Sequence, residues 1–175
     1  MKTIKLRTLS VERDMDFLYK NIMSSDQYLF STKITCNTIH SFKNWLLNQL
    51  NLEFNDFYIV EYMDQRIGYV HNYDFSLKDG RCKLVVCIEE KYREFGIGAI
   101  AAILFMKKLF DDYPLRKIYL DIYDYNKESL GSNLKAGFTE EGCIKNYRYH
   151  NGKFYDLHIL SMDRKTFEKE LGGRI

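Results

Sequence analysis

Residues 91–102 read KYREFGIGAIAA, and the reading of this stretch decides the fold. Gly96 and Gly98 stand between a charged run and the start of an apolar helix. Glycines let the backbone amides of residues 94 to 99 turn toward a ligand without Cβ obstruction. A helix beginning near Ile97 adds its unsatisfied amides and the positive end of its dipole. Arg93 adds a fixed charge. The stretch therefore suits an anion, and a glycine-rich strand–helix turn with no ligand is the alternative. From Gly96 the same letters also spell G-x-G-x-x-A, a variant of the dinucleotide-binding fingerprint.

The elements on either side narrow the choice. Upstream, IKLRTL (4–9) alternates as a strand, and Ser10 is placed to cap a helix carrying Val11, Met15, Leu18 and Ile22 at helical spacing. A polar stretch from Ser24 to Lys33 reads as a loop, before a second amphipathic helix with Ile39, Phe42, Trp45, Leu46 and Leu50 on one face. Three strands with hairpin-like connections follow, 56–63, 66–75 and 81–90, turning at Asp64-Gln65 and at Lys78-Asp79-Gly80. After the glycine loop come a helix over 97–111, a strand over 115–123, and a short helix over 126–135 closed by Gly137. CIKNYRYH and FYDLHILSM flank Asn151-Gly152, a strong hairpin signal, with a short C-terminal helix to finish. The order βααβββαβαββ contains one βαβ crossover, 81–90 to 115–123, which demands parallel pairing in an otherwise antiparallel sheet. A mixed-sheet α/β domain spanning 1–175 is expected.

That order counts against a dinucleotide. Asp121 does end a strand roughly twenty residues after the glycines, where a ribose-binding carboxylate belongs. But Glu89 through Phe95 separate the strand from the first glycine, whereas the fingerprint's glycine comes directly off its strand. After Asp121 only one helix and an antiparallel hairpin remain, too little for a doubly wound sheet. A nucleoside-triphosphate loop fails too, because Ala99 follows Gly98 where the motif wants lysine.

Composition removes other classes. A net charge of +2 is too small to argue for nucleic acid or an anionic membrane. The apolar run Ala99–Met106 is far short of the ~20 residues of a membrane span. The N-terminal MKTIKLRTLSVERD has no apolar signal region, so a cytoplasmic protein is expected. The four cysteines, Cys36, Cys82, Cys87 and Cys143, form no disulfide-scaffold pattern and no C-x-x-C. Cys82 and Cys87 lie five apart on one strand and so face opposite ways. Reduced thiols and no metal site are expected, and the four histidines have no ligand spacing.

Read together, REFGIGA, LDIYDYN and NKESLGSNLKAGFTEEG closely resemble the GNAT acetyltransferase superfamily. From Arg93 the loop spells that family's R-x-x-G-x-G-A pyrophosphate motif. The final YHNGKFYDLHILSM is similar to its branch of ribosomal-protein, spermidine and amino-sugar acetyltransferases, with Gly152, Asp156 and Met162 matching. The resemblance covers about Ile4 to Met162. It implies a fold whose fourth and fifth strands splay into a V-shaped slot for acetyl-CoA. The pantetheine arm would lie along Val86, Cys87 and Ile88. The diphosphate would sit on the amides of Arg93, Glu94, Phe95, Gly96, Ile97, Gly98 and Ala99. Asn126 would bond the pantetheine arm, with Ser129 and Asn133 near the thiol. A primary amine of a small molecule, amino sugar or peptide N-terminus would attack the thioester directly, and residues 24–55 and the final hairpin would bind it. The loop 24–38 lacks the acidic cluster a polyamine favours, and the Tyr-rich hairpin could pair two copies.

Two positions depart from the family's pattern. Its usual general acid, a tyrosine seven residues after the asparagine, is here Asn133; Tyr123 and Tyr125 are nearby substitutes. Its frequent glutamate early in strand four is replaced by Arg81-Cys82-Lys83. Asp121 matches a strand-five acidic position that some members use as base, and a solvated strand-end aspartate is its alternative. The substitution at Asn133 keeps open a second class, a catalytically weak acyl-CoA-binding or sensor module.

Overall fold

The computed structural model describes residues 3–23, 36 and 38–173. The elements follow the expected order: β1 (Ile4–Thr8), α1 (Val11–Ile22), α2 (Ile39–Leu50), β2 (Phe57–Tyr62), β3 (Gln65–Ser76), β4 (Arg81–Ile88), α3 (Ile97–Asp112), β5 (Lys117–Tyr123), α4 (Lys127–Lys135), β6 (Thr139–His150), β7 (Lys153–Asp163) and α5 (Arg164–Glu170). The seven strands among the described residues form one sheet in the order β1-β2-β3-β4-β5-β7-β6. Every neighbouring pair is antiparallel except β4–β5, which the α3 crossover makes parallel.

Alternation along the strands gives the sheet two apolar faces. One packs under α3 and α5 with Phe105, Leu109, Ile118, Leu160, Met162 and Phe167 buried. The other packs under α1 and α2 with Leu18, Phe42, Leu46, Phe57 and Ile59. Cys82 belongs to the first core and Cys87 to the second, as their odd separation on one strand requires. All four cysteines are free thiols. No helix among the described residues is long and apolar enough to cross a membrane.

Several boundaries differ from the sequence reading, each for a physical reason. The β2–β3 turn is Met63-Asp64, both left-handed at φ 52° and 59°, one residue earlier than Asp64-Gln65. Strand β5 begins at Lys117 rather than residue 115, because Leu115 and Arg116 still belong to the turn after Pro114. Strand β6 begins at Thr139, four residues before Cys143, because a register shift between Glu140 and Gly142 lets an acidic segment pair with β7. Ser10 occupies the cap of α1, but its side chain makes no cap bond. Instead the Ser10 amide donates to Asp14 Oδ2 at 2.9 Å. Asp14 is fully buried and accepts from Arg7 Nη2 at 2.9 Å and from Arg7 Nη1 at 3.0 Å. Burial alone would raise its pKa; the Arg7 bonds and the Ser10 amide outweigh that and hold the carboxyl below its usual range.

Candidate functional site

The site begins where the parallel ladder stops. Strands β4 and β5 pair at only three positions, Arg81–Lys117, Cys82–Ile118 and Lys83–Tyr119. Beyond them β4 runs on to Ile88 and stays paired to β3 through Gly68–Ile88, while β5 runs on to Tyr123 and stays paired to β7. The two strands therefore diverge past Lys83, and among the described residues the β4 edge from Leu84 to Ile88 has no strand partner on its β5 side. Val86, Cys87 and Ile88 lie on that open edge. Gly68 fixes its other side, since a Cβ there would stand 2.1 Å from the Cys87 carbonyl oxygen.

The glycine loop lies at the mouth of this wedge. Glu89 and Glu90, expected to end the strand, instead start the connection: residues Glu90–Phe95 form a 3₁₀ turn. Gly96 then adopts φ 67°, a left-handed conformation costly for any residue with a Cβ, and α3 starts at Ile97. The first intrahelical bond is Ile100 N–H to the Gly96 carbonyl, so the amides of Ile97, Gly98 and Ala99 lie ahead of it at the helix end. Arg93 donates from Nε to the Ile88 carbonyl at 2.8 Å, tying the turn to the end of β4. For Glu94 and Phe95 only the backbone is described.

On the facing wall, β5 leads into α4. Asn126 is the cap of α4, with the Ser129 amide donating to its side-chain oxygen at 3.4 Å. Asn133 donates from Nδ2 to the Ser129 carbonyl at 2.8 Å and to the Ser129 hydroxyl at 3.2 Å. Asn126, Ser129 and Asn133 are thus brought together on one short helix, with the Asn133 amide turned back onto its own turn.

Asp121 lies just past the last β4–β5 pair. Its Oδ2 accepts from Lys83 Nζ at 2.6 Å, and its side chain is 9% exposed. Its Oδ1 is buried with no hydrogen-bond partner. Lys83, from the strand-four segment whose missing glutamate the sequence had flagged, is therefore the group that orients Asp121. Separation by 38 residues hides this pair from local pattern. Tyr123 follows on the same face of β5, buried, and its hydroxyl accepts from Arg148 Nη1 at 3.1 Å. The Arg148 guanidinium also stands over its ring, 4.8 Å from the centroid, and Tyr125 stacks on it at 5.3 Å. Tyr123 thus belongs to an aromatic cluster shared by β5 and the β6–β7 hairpin.

Of the expected acceptor region, 24–55 and the final hairpin, residues 24–35 and 37 lie outside the described set, and the rest of 24–55 is chiefly α2 and the turn after it. On the final hairpin Tyr147, Tyr149 and Phe154 are exposed. Metal-ligand spacing is lacking along the chain, yet Glu140, Cys143 and His158 converge across β6 and β7, with donor atoms within 4.8 Å of one another.

The fold has counterparts among known proteins. Residues 8–159 match the family described as the acetyltransferase (GNAT) domain. The SPbeta prophage-derived uncharacterized N-acetyltransferase YokL of Bacillus subtilis (strain 168) is 24% identical over 133 residues, 76% of this chain and 75% of that protein. Among solved structures, a spermidine N-acetyltransferase from Vibrio cholerae in complex with CoA and spermine superposes with a TM-score of 0.86 at 16% identity, covering 94% of this chain and 97% of that one. A probable GNAT-family acetyltransferase from Chromobacterium violaceum superposes with a TM-score of 0.77 at 17% identity, over 96% and 86%.

Proposed function

The chain belongs to the GNAT acetyltransferase family, and from that premise we propose that it moves the acetyl group of acetyl-CoA onto a primary amine. The observation that carries this reading is the open β4 edge, Leu84 to Ile88, ending in a turn rich in helix-end amides. An extended pantetheine arm completes that edge as a further strand would, along Val86, Cys87 and Ile88. The diphosphate rests on the amides of Ile97, Gly98 and Ala99, where backbone donors and the helix dipole favour an anion. Asn126 bonds the arm, and Ser129 and Asn133 flank the thiol.

The reaction is direct transfer. An ammonium of pKa ~10 must lose its proton before it attacks, and Asp121 Oδ1, buried and unpartnered, takes it. Lys83 holds the other oxygen, which fixes the orientation of the carboxylate. The amine nitrogen then bonds to the thioester carbonyl carbon, and a β4 amide stabilises the oxygen as it gains charge. As the tetrahedral species collapses, the C–S bond breaks, CoA leaves as a thiolate, and the nitrogen sheds its remaining extra proton to that thiolate or to solvent, leaving a neutral amide. A thiol of pKa ~8.5 is a good enough leaving group that no strong acid is needed at Asn133. The acceptor is a small-molecule amine, an amino sugar or a peptide N-terminus.

One observation favours a second reading, an acyl-CoA-binding module with little turnover: the Asn133 amide is spent on Ser129. Free-CoA release from acetyl-CoA across a panel of primary amines separates the two. Turnover above the no-amine rate, reduced in Asp121→Asn, supports the enzyme; tight acetyl-CoA binding with no turnover on any amine supports the module.

A further inference from the structure

We propose that Glu140, Cys143 and His158 form a binding site for a thiophilic divalent cation, zinc above all, on the outer strand pair of the sheet. In an uninterrupted strand Glu140 and Cys143, three apart, face opposite ways. The register shift between Glu140 and Gly142 inserts one residue and brings both side chains to the face of His158, which pairs directly with Cys143. Carboxylate, thiol and imidazole donors then lie within 4.8 Å of one another. Ligands on a common tetrahedral ion with bonds of ~2.0–2.3 Å stand ~3.5 Å apart, so closure needs a contraction of about 1 Å by partly exposed side chains.

The donor set selects the ion. Sulfur and imidazole nitrogen with one carboxylate oxygen suit zinc and disfavour magnesium or calcium, which take oxygen alone. Cys36, Cys82 and Cys87 are buried, whereas Cys143 is partly exposed and so open to an ion from solvent. Its S–H donates to Asp156 Oδ2 at 3.8 Å, a contact that ends when the metal displaces the thiol proton. His158 already bonds Glu140 through Nδ1 at 2.7 Å, and the ion replaces that contact. Three protein ligands leave a fourth position for water. The bound ion would staple β6 to β7 beside the Ile122–His158 pair, tying the outer hairpin to β5, one wall of the wedge. This proposal is independent of acetyl transfer.

The test uses untagged, reduced, full-length protein titrated with cobalt(II) and then zinc(II). Thiolate-to-cobalt charge-transfer absorption should saturate at equimolar metal, bleach on zinc addition, and be absent in Cys143→Ser. Zinc should raise the Tm of the wild type, and His158→Gln and Glu140→Gln should each weaken zinc binding more than about tenfold while keeping the thiol. Absence of the charge-transfer band in folded wild type overturns the site, as does its persistence in Cys143→Ser. If Cys143→Ser does not fold, His158→Gln and Glu140→Gln decide, and undiminished zinc binding in both refutes the proposal.

Discussion

Two neighbouring glycines in the α3 turn separate the needs of folding from those of cofactor binding. Gly96 is left-handed at φ 67°, and a Cβ there meets nothing within 4 Å. Its replacement by alanine is therefore a pure backbone penalty of about 1–2 kcal/mol. In a domain of this size that lowers Tm by about 2–8 °C. Gly98 differs, since it lies inside the first turn of α3 and an added Cβ would stand 3.6 Å from an Ile88 side-chain carbon, an ordinary contact. Gly98→Ala should leave stability unchanged or raise it by about 0.5 kcal/mol through reduced chain entropy. Yet Gly98 lies between Ile97 and Ala99 at the start of α3, where on the proposed reading the three amides would hold the diphosphate and an added methyl group would crowd it. Losing one or two charge-assisted bonds of about 1.5 kcal/mol each predicts acetyl-CoA binding weaker by about 10- to 100-fold. Thermal melts and calorimetric titration with CoA measure the two effects separately. A Gly98→Ala protein that is as stable as wild type and binds CoA within about twofold of it would refute the diphosphate placement.

Replacing Asp121 by Asn should lower kcat by about 10²–10⁴-fold while leaving the Kd for CoA unchanged, as steady-state kinetics and calorimetry report together. Burial lowers the pKa of His71 to about 4, whereas the unfolded chain carries a histidine near its ordinary 6.5. The unfolded state therefore binds the extra proton as pH falls below 6.5, and stability should decline from there to about pH 4, by about 3 kcal/mol in all. Urea unfolding at stepped pH checks this, and a curve flat between pH 6.5 and 5 would contradict it. Asp14 acts in a lower window: its carboxyl is held below its usual range in the fold, so its contribution is complete above that range and is lost as pH falls through the depressed folded value. Asp14→Asn, which removes the charge facing Arg7, should cost about 2–3 kcal/mol by urea unfolding at neutral pH. Asp64→Gly relieves one of two left-handed non-glycine residues in the β2–β3 turn and should stabilise by about 0.5–1 kcal/mol in the same assay.

Much of the fold is legible in the sequence because its signals are local. Helical spacing marks α1, α2 and α3, Asn151-Gly152 marks the last hairpin, and the crossover through α3 leaves β4 and β5 no choice but parallel pairing. The divergence of those strands is another matter: periodicity is the same whether a strand edge is paired or open, so the wedge enters through resemblance to a family. The Lys83–Asp121 pair and the Glu140–Cys143–His158 group arise from register between distant strands, and the second also needs a bulge. A bulge shifts every later side chain to the other face, and Thr139-Glu140-Glu141-Gly142 carries no alternation from which to read it. Asn133 is a partial case, visible as a departure from a pattern while its bond back to Ser129 waits for the helix to be built.

In the proposed complex, acetyl-CoA completes the open edge of β4 and rests its diphosphate on the start of α3. Backbone amide hydrogen exchange, resolved by residue with and without CoA, tests it most directly. Bound CoA should add protection within Leu84–Ile88 and at Ile97, Gly98 and Ala99, with little change along β1 and β2. Saturating CoA that leaves those amides exchanging as in the free protein would contradict it.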